Sequence, residues 1–211
     1  MNIQELKSAM AAIRTKIDEN SAYLTELDQQ NGDGDLGISM SAGFAAACTF
    51  LDSTDETDLG KAFMKCSGAF NEAAPSTLGT IMSLGLMGMA KALKGKTEAD
   101  DAELSEAFSA GLSQIMERAK SKPGDKTILD SLCPAVAAWK DAVAQGRSAS
   151  LATAAAAARA GSETTRGMKS VHGRAAYYGE KSIGILDGGS VVGSLLFEGL
   201  SSWASCAEKK A

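Results

Sequence analysis

The strongest constraint on the fold is a scarcity. Runs in which Val, Ile, Thr or aromatic residues alternate with polar ones are nearly absent from the 211 residues, whereas Ala, Leu, Met, Glu and Lys recur at helical spacing. A chain without strand-forming runs must bury its apolar side chains by packing helix on helix, so the expected fold is all-α. Caps and periodicity predict helices over 3–18, 20–27, 37–51, 58–72, 77–94, 101–121, 126–145, 148–168 and 189–207. Ser76 or Thr77, Asp101, Asp125 and Ser148 are the expected N-caps or first-turn residues of four of them. Hydrophobic residues make up 45% of the chain, enough for one substantial core, so residues 1–211 read as one domain.

Antiparallel helices joined by short loops place every second connection at the same end of a bundle. Counted from the helix at 37–51, one end receives residues 28–36, 73–76, 122–125 and the long segment 169–188. The other receives DSTDETD, KGKTEADD and GRSA, which read as capping chemistry and solvated charge. Each loop of the first set is followed by a helix. Four helix N-termini, with unpaired N–H groups and positive dipole ends, would therefore converge on one face and attract phosphate.

The first of these loops, LDQQNGDGDLG, carries Asp28, Asp33 and Asp35 as D-x4-D-x-D, and Gly32, Gly34 and Gly37 let the chain fold back so that the three acids meet. Two readings are open: an Asx-rich turn that caps the following helix, or a metal site. An EF-hand is excluded, because a loop begun at Asn31 or Asp33 lacks glycine at its sixth place and ends on Ala42 or Phe44. Carboxylates beside a phosphate-attracting face need a cation between them. Oxygen ligands in a chain with a single histidine point to Mg²⁺.

The other loops carry the same ambiguity. Ser76, Thr77, Gly79 and Thr80 suit either a phosphate cradle or a helix cap, and Gly124, Asp125, Lys126 and Thr127 suit either a ligand-binding turn or an ordinary one. Arg174 is a long cation among small residues, suited to bidentate pairing with phosphate or to solvent. His172 reads as a loop residue without a catalytic role, and Tyr177 and Tyr178 are expected to pack the long loop. Met82, Met87 and Met89 read as core, or as the lining of an interior that holds something apolar.

A net charge of -5 without a basic tract, and only 5% aromatic residues, argue against nucleic acid and against an anionic membrane as partners. No apolar run approaches the roughly 20 residues of a bilayer span, and MNIQELKSAM lacks a signal-peptide core, so a cytoplasmic location is expected. Cys48, Cys66, Cys133 and Cys206, widely spaced among apolar residues, are expected to be buried free thiols.

In order along the chain, LTELDQQNGDGDLGISMSAGF, KPGDKTILD and GRAAYYGEKSIG followed by DGGS resemble the nucleotide-binding L subunit of dihydroxyacetone (glycerone) kinases. The resemblance runs from about residue 20 to the C-terminus. It implies a barrel of eight antiparallel helices that binds ADP or ATP and two Mg²⁺ ions at one end. It also implies a phosphotransferase that works with a separate K subunit, on which dihydroxyacetone or a related short ketose is held. On this resemblance the Mg²⁺ ligands fall on Asp28, Asp33 and Asp35, and the phosphate-contacting, catalytic arginine on Arg174. The adenine-side turns fall on Pro123 to Thr127, thus on Gly124, Asp125, Lys126 and Thr127, and on Asp187, Gly188, Gly189 and Ser190. Members of the family either consume ATP or keep ADP bound and recharge it from a phosphohistidine protein of the phosphotransferase system.

Two departures stand out. Leu36 replaces the family's histidine, and NEAAP (Asn71 to Pro75) replaces a Gly-Gly-x-Ser-Gly loop, which leaves Ser76 and Thr77 to carry its phosphate contacts. An acceptor other than dihydroxyacetone, or a non-catalytic nucleotide-sensing regulatory subunit, is the competing expectation.

Overall fold

In a computed structural model, which describes residues 1–208, the chain forms nine α-helices and no strand among the described residues. They are α1 (Ile3–Glu19), α2 (Ser21–Asp28), α3 (Leu36–Ser53), α4 (Leu59–Ala73), α5 (Thr77–Ala92), α6 (Asp101–Ala119), α7 (Leu129–Ala142), α8 (Arg147–Thr164) and α9 (Gly188–Glu208). The all-α expectation holds, and most boundaries agree within one or two residues.

The differences have local causes. The first helix is capped by Asn2, with Glu5 returning the bond to the Asn2 amide. Asp100 and Glu103 form the same box on α6, and Asp101 takes the expected place in its first turn. Ser148 likewise falls in the first turn of α8, whose N-cap is Gly146. Asp125 caps nothing, because Gly124 and Lys126 take left-handed backbone angles (φ 93° and 61°) that keep residues 124–128 out of the helix until α7 begins. The predicted ends at 145 and 168 are 3₁₀ turns, Val143–Gln145 and Thr165–Gly167.

Eight helices close into a ring. α1, α3, α4, α5, α6, α7, α8 and α9 each pack on the next, and α9 returns to α1, while α2 lies against α3. Small residues let neighbours approach: a Cβ on Gly88 of α5 would stand 2.6 Å from the Ala110 carbonyl of α6. Aromatic contacts tie the ring across its interior. Phe44 of α3 meets Phe70 of α4 edge-on at 5.1 Å, and Trp139 of α7 lies 5.3 Å from Phe108 of α6 and 6.3 Å from Phe197 of α9. Met82 and Met89 are buried and line an apolar interior cavity of about 80 Å³.

At the end of the barrel opposite the four loops, Arg147 binds Glu5 at 2.7 Å and Asp101 at 2.6 Å and lies over Trp203, joining α8 to α1, α6 and α9. α3 has the length and hydropathy of a membrane span, yet it packs between α1 and α4 with half of that window buried. The four thiols are free. Cys48 and Cys66 are buried as expected, Cys133 is half-buried, and Cys206 is exposed because it falls on the outer face near the end of α9.

Candidate functional site

Alternation of helix direction brings the four loops of the first set to one end, where they surround a cleft of about 560 Å³. Its walls include Asp28, Asn31 to Asp33, Asp35 and Leu36, Pro75 to Leu78 with Thr80 and Ile81, Lys126 to Ile128, His172 to Ala175 and Asp187 to Gly189. Of the residues singled out in the sequence, Asp28, Asp33, Asp35, Ser76, Thr77, Lys126, Thr127, Arg174, Asp187, Gly188 and Gly189 line it. Gly124 and Asp125 stand behind its wall.

The acidic loop folds back as its glycines allow. Gly34 takes a left-handed φ of 78°, and a Cβ on Gly32 would lie 2.2 Å from an Asp28 carboxylate oxygen. The Asp28 carboxylate accepts the Gly34 amide at 2.7 Å. One oxygen from each of Asp28, Asp33 and Asp35 lies within 4.8 Å of the others. Asp35 occupies the N-cap position of α3, but its side chain accepts no helix N–H. Loss of hydration and the nearby Asp33 and Asp28 charges hold the Asp35 carboxyl above its ordinary range. Three convergent carboxylates, none of them capping α3, are a donor set that fits a hard divalent cation.

Facing the acids, Arg174 bonds Asp33 at 2.7 Å. It begins a 3₁₀ segment, Arg174–Ser182, that breaks at Gly179 (φ 54°). Tyr177 and Tyr178 do not pack this loop: Tyr177 is 92% exposed and Tyr178 45%, because the 3₁₀ turns aim both rings outward.

The remaining walls mix capping with open donors. Ser76 is the N-cap of α5 and accepts the Gly79 amide at 3.1 Å, which leaves Thr77 as the first residue of the helix that faces the cleft. Asp187 accepts the Ser190 amide at 2.7 Å at the start of α9, and loss of hydration pushes its carboxyl up to about 7. Leu36 is buried against Gly188, where a Cβ would meet its side chain at 2.5 Å, so this position forms an apolar floor.

The Gly124-to-Thr127 turn is stapled from beneath by Asp130, which accepts the Gly124 amide at 2.5 Å and the Thr127 amide at 2.7 Å. Burial would raise the Asp125 carboxyl, but bonds from the Lys122 amide and His172 hold it below its ordinary range. Burial pulls the Lys126 ammonium below the usual lysine value, and its protons go to three backbone carbonyls.

Sequence reading missed two polar residues of the cleft, Asn31 and His172. His172 was legible in principle, since it precedes Gly173-Arg174. Its bond to Asp125 across 47 residues was not.

With the geometry established, comparison with known proteins is direct. The DAK2 domain matches residues 30–202. The PEP-dependent dihydroxyacetone kinase 1 ADP-binding subunit DhaL of Listeria innocua is 32% identical over 188 residues, 88% of each chain. The corresponding Escherichia coli subunit is 30% identical over 81% of this chain and 82% of its own. The L-erythrulose 1-kinase of Mycolicibacterium smegmatis is 30% identical over 86% of this chain, which spans only 32% of that enzyme. The crystal structure of the C. freundii dihydroxyacetone kinase superposes with a TM-score of 0.74 at 23% identity, covering 93% of this chain and 34% of that one. Its counterpart in complex with AMP-PNP and Mg²⁺ gives 0.73. That likeness places the helical barrel in a known architecture, and the matched domain, 173 residues from 30 to 202, covers most of the sequence. The chain belongs to the DAK2-domain family, whose members here include the ADP-binding subunits of dihydroxyacetone kinases.

Proposed function

We propose that this protein is the nucleotide-binding subunit of a kinase that phosphorylates dihydroxyacetone or a related short ketose held on a separate K subunit. One observation carries the reading: three carboxylates and an arginine from distant loops meet in one cleft onto which helix N-termini open. The cleft, about 560 Å³, falls within the usual range of small-molecule sites.

Asp28, Asp33 and Asp35 would hold two Mg²⁺ ions, which would supply positive charge to offset that of the phosphates of ADP or ATP. Arg174, now paired with Asp33, would offer its guanidinium to the phosphate oxygens and bring a positive charge to the transfer. The start of α5 at Thr77 offers backbone N–H groups to the same phosphates. Leu36 and Ile128 give the floor apolar surface for the nucleotide. No group of this chain is assigned as base for the ketose hydroxyl, because the acceptor sits on the partner.

The relatives that match nearly end to end are named ADP-binding subunits of PEP- or PTS-dependent kinases. That supports a resident ADP recharged by a phosphohistidine carrier of the phosphotransferase system, over ATP consumed at each turnover.

The test has two stages. Calorimetric titration with ADP should give Mg²⁺-dependent binding. The purified protein, mixed with candidate K subunits and a phosphoryl donor, should then phosphorylate dihydroxyacetone or erythrulose. Binding without phosphorylation of either ketose would point instead to a nucleotide-sensing regulatory subunit, and absence of Mg²⁺-dependent binding would remove both readings.

A further inference from the structure

The loop that carries Arg174 is held by hydrogen bonds and not by a core of its own. Val171, Tyr177, Tyr178 and Ile183 are all exposed, and only its C-terminal end, at Ile185 and Leu186, reaches the core, so apolar burial contributes little over residues 171–183. Its two ends converge on one buried group. The Lys126 ammonium donates to the Met168 carbonyl at 3.2 Å, to Ser182 at 2.5 Å and to Ile185 at 2.7 Å. An ammonium has three protons, and three carbonyls take them.

The neighbouring residue ties the same loop near its start. The Asp125 carbonyl accepts the Val171 amide at 3.3 Å, and its carboxylate meets His172 Nε2 at 3.1 Å. Lys126 is only 3% exposed and takes a left-handed φ of 61°, a conformation that a non-glycine residue adopts at a cost. Left-handed backbone there turns the side chain under the loop. An extended or helical residue 126 would aim it elsewhere.

We infer that Lys126, aided by Asp125, is a positioning residue. It clamps both ends of the 168–185 loop so that Arg174 stands across the cleft from Asp33, and its ammonium does not itself touch the bound nucleotide. The inference rests on the reading of the cleft as a Mg²⁺–nucleotide site only for its second arm below.

The first arm is the nucleotide-free protein. Lys126→Met should speed exchange of the Ser170, Val171 and Gly184 amides at least tenfold, while amides in the middle of α3, α6 and α9 keep their rates. These three amides bond Ser182 Oγ, the Asp125 carbonyl and the Arg166 carbonyl, so they report loop order directly. Unchanged loop rates would overturn the clamp whatever the cleft binds.

The second arm is a double-mutant cycle on Mg²⁺–ADP affinity. If Lys126 acts through Arg174, Lys126→Met should weaken binding, and Lys126→Met combined with Arg174→Ala should bind no more weakly than Arg174→Ala alone. Losses that multiply would make Lys126 a direct nucleotide ligand and overturn the inference. Wild-type protein that fails to bind Mg²⁺–ADP would refute the nucleotide reading and leave the first arm to decide the clamp. Should Lys126→Met not fold, His172→Ala cuts a less buried tie of the same loop. The same amides and the same cycle then apply, with a severalfold effect expected.

Discussion

Replacing Asp35 by asparagine should stabilise the cation-free protein and destabilise it, relative to wild type, once Mg²⁺ is present. Asp35 sits within 4.8 Å of carboxylate oxygens from both Asp28 and Asp33. At a water-like dielectric constant each such pair repels by about 0.9 kcal/mol, or about 1.7 kcal/mol for the two. Arg174, 2.7 Å from Asp33, offsets part of that. A negative charge at the N-terminus of α3 recovers about 0.5 kcal/mol more from the helix dipole. The remainder is about 0.5–1 kcal/mol of net repulsion, in keeping with a carboxyl held above its ordinary range. Because the Asp35 side chain caps no N–H, the amide forfeits no bond.

The expected result in EDTA is a rise in Tm of about 1–4 °C, since about 1 kcal/mol moves a domain of this size by about 2–4 °C. Wild type should then gain about 2.7 kcal/mol in Mg²⁺ at 100 times its Kd, and the variant little or nothing. Differential scanning calorimetry with EDTA and with a Mg²⁺ series checks both halves. A variant less stable than wild type in EDTA would refute the repulsion, and one stabilised by Mg²⁺ as much as wild type would refute the ligand role.

Other outcomes follow from the same geometry. The Asp187 carboxyl, raised to about 7, keeps its proton in the folded state where the unfolded chain has lost it, so it subtracts stability as pH climbs from about 4 to 7. Asp187→Asn keeps an acceptor for Ser190, and denaturation at several pH values should show a flatter stability profile across that window; an unchanged profile would disprove the shift. Phe70, fully buried and edge-on to Phe44, should cost about 3–5 kcal/mol as Phe70→Ala, read as a lower denaturation midpoint with an unchanged slope. A thiol reagent should modify Cys206 quickly in native protein and leave Cys66 and Cys133, whose thiols burial pushes up to about 12 and about 11, untouched until unfolding.

Much of the barrel was legible because helix formation is local. Apolar residues at i, i+3 and i+4 define a face within one turn or two, so the existence of all nine helices could be read without knowing their neighbours. Their ends were less legible. Which of Asp100 or Asp101 caps α6 depends on whether Glu103 can reach back, and the start of α7 depends on two left-handed residues, one of them a lysine with no sequence signature for that conformation.

The grouping of the loops was legible too, since alternating direction is a property of any bundle with short connections. Within that grouping, D-x4-D-x-D with interspersed glycines brought its own three acids together, because a short flexible turn is enough. The sequence therefore determined by itself an all-helical chain with an acidic turn and three phosphate-friendly loops at one end. Tertiary structure decided which side chains of those loops face the cleft. It set Arg174 against Asp33, packed Leu36 on Gly188, brought His172 to Asp125 and turned Lys126 beneath the loop. These contacts join residues far apart in sequence through backbone carbonyls and carboxylates. Their geometry exists only after the ring has closed, and no period or spacing in the sequence encodes it.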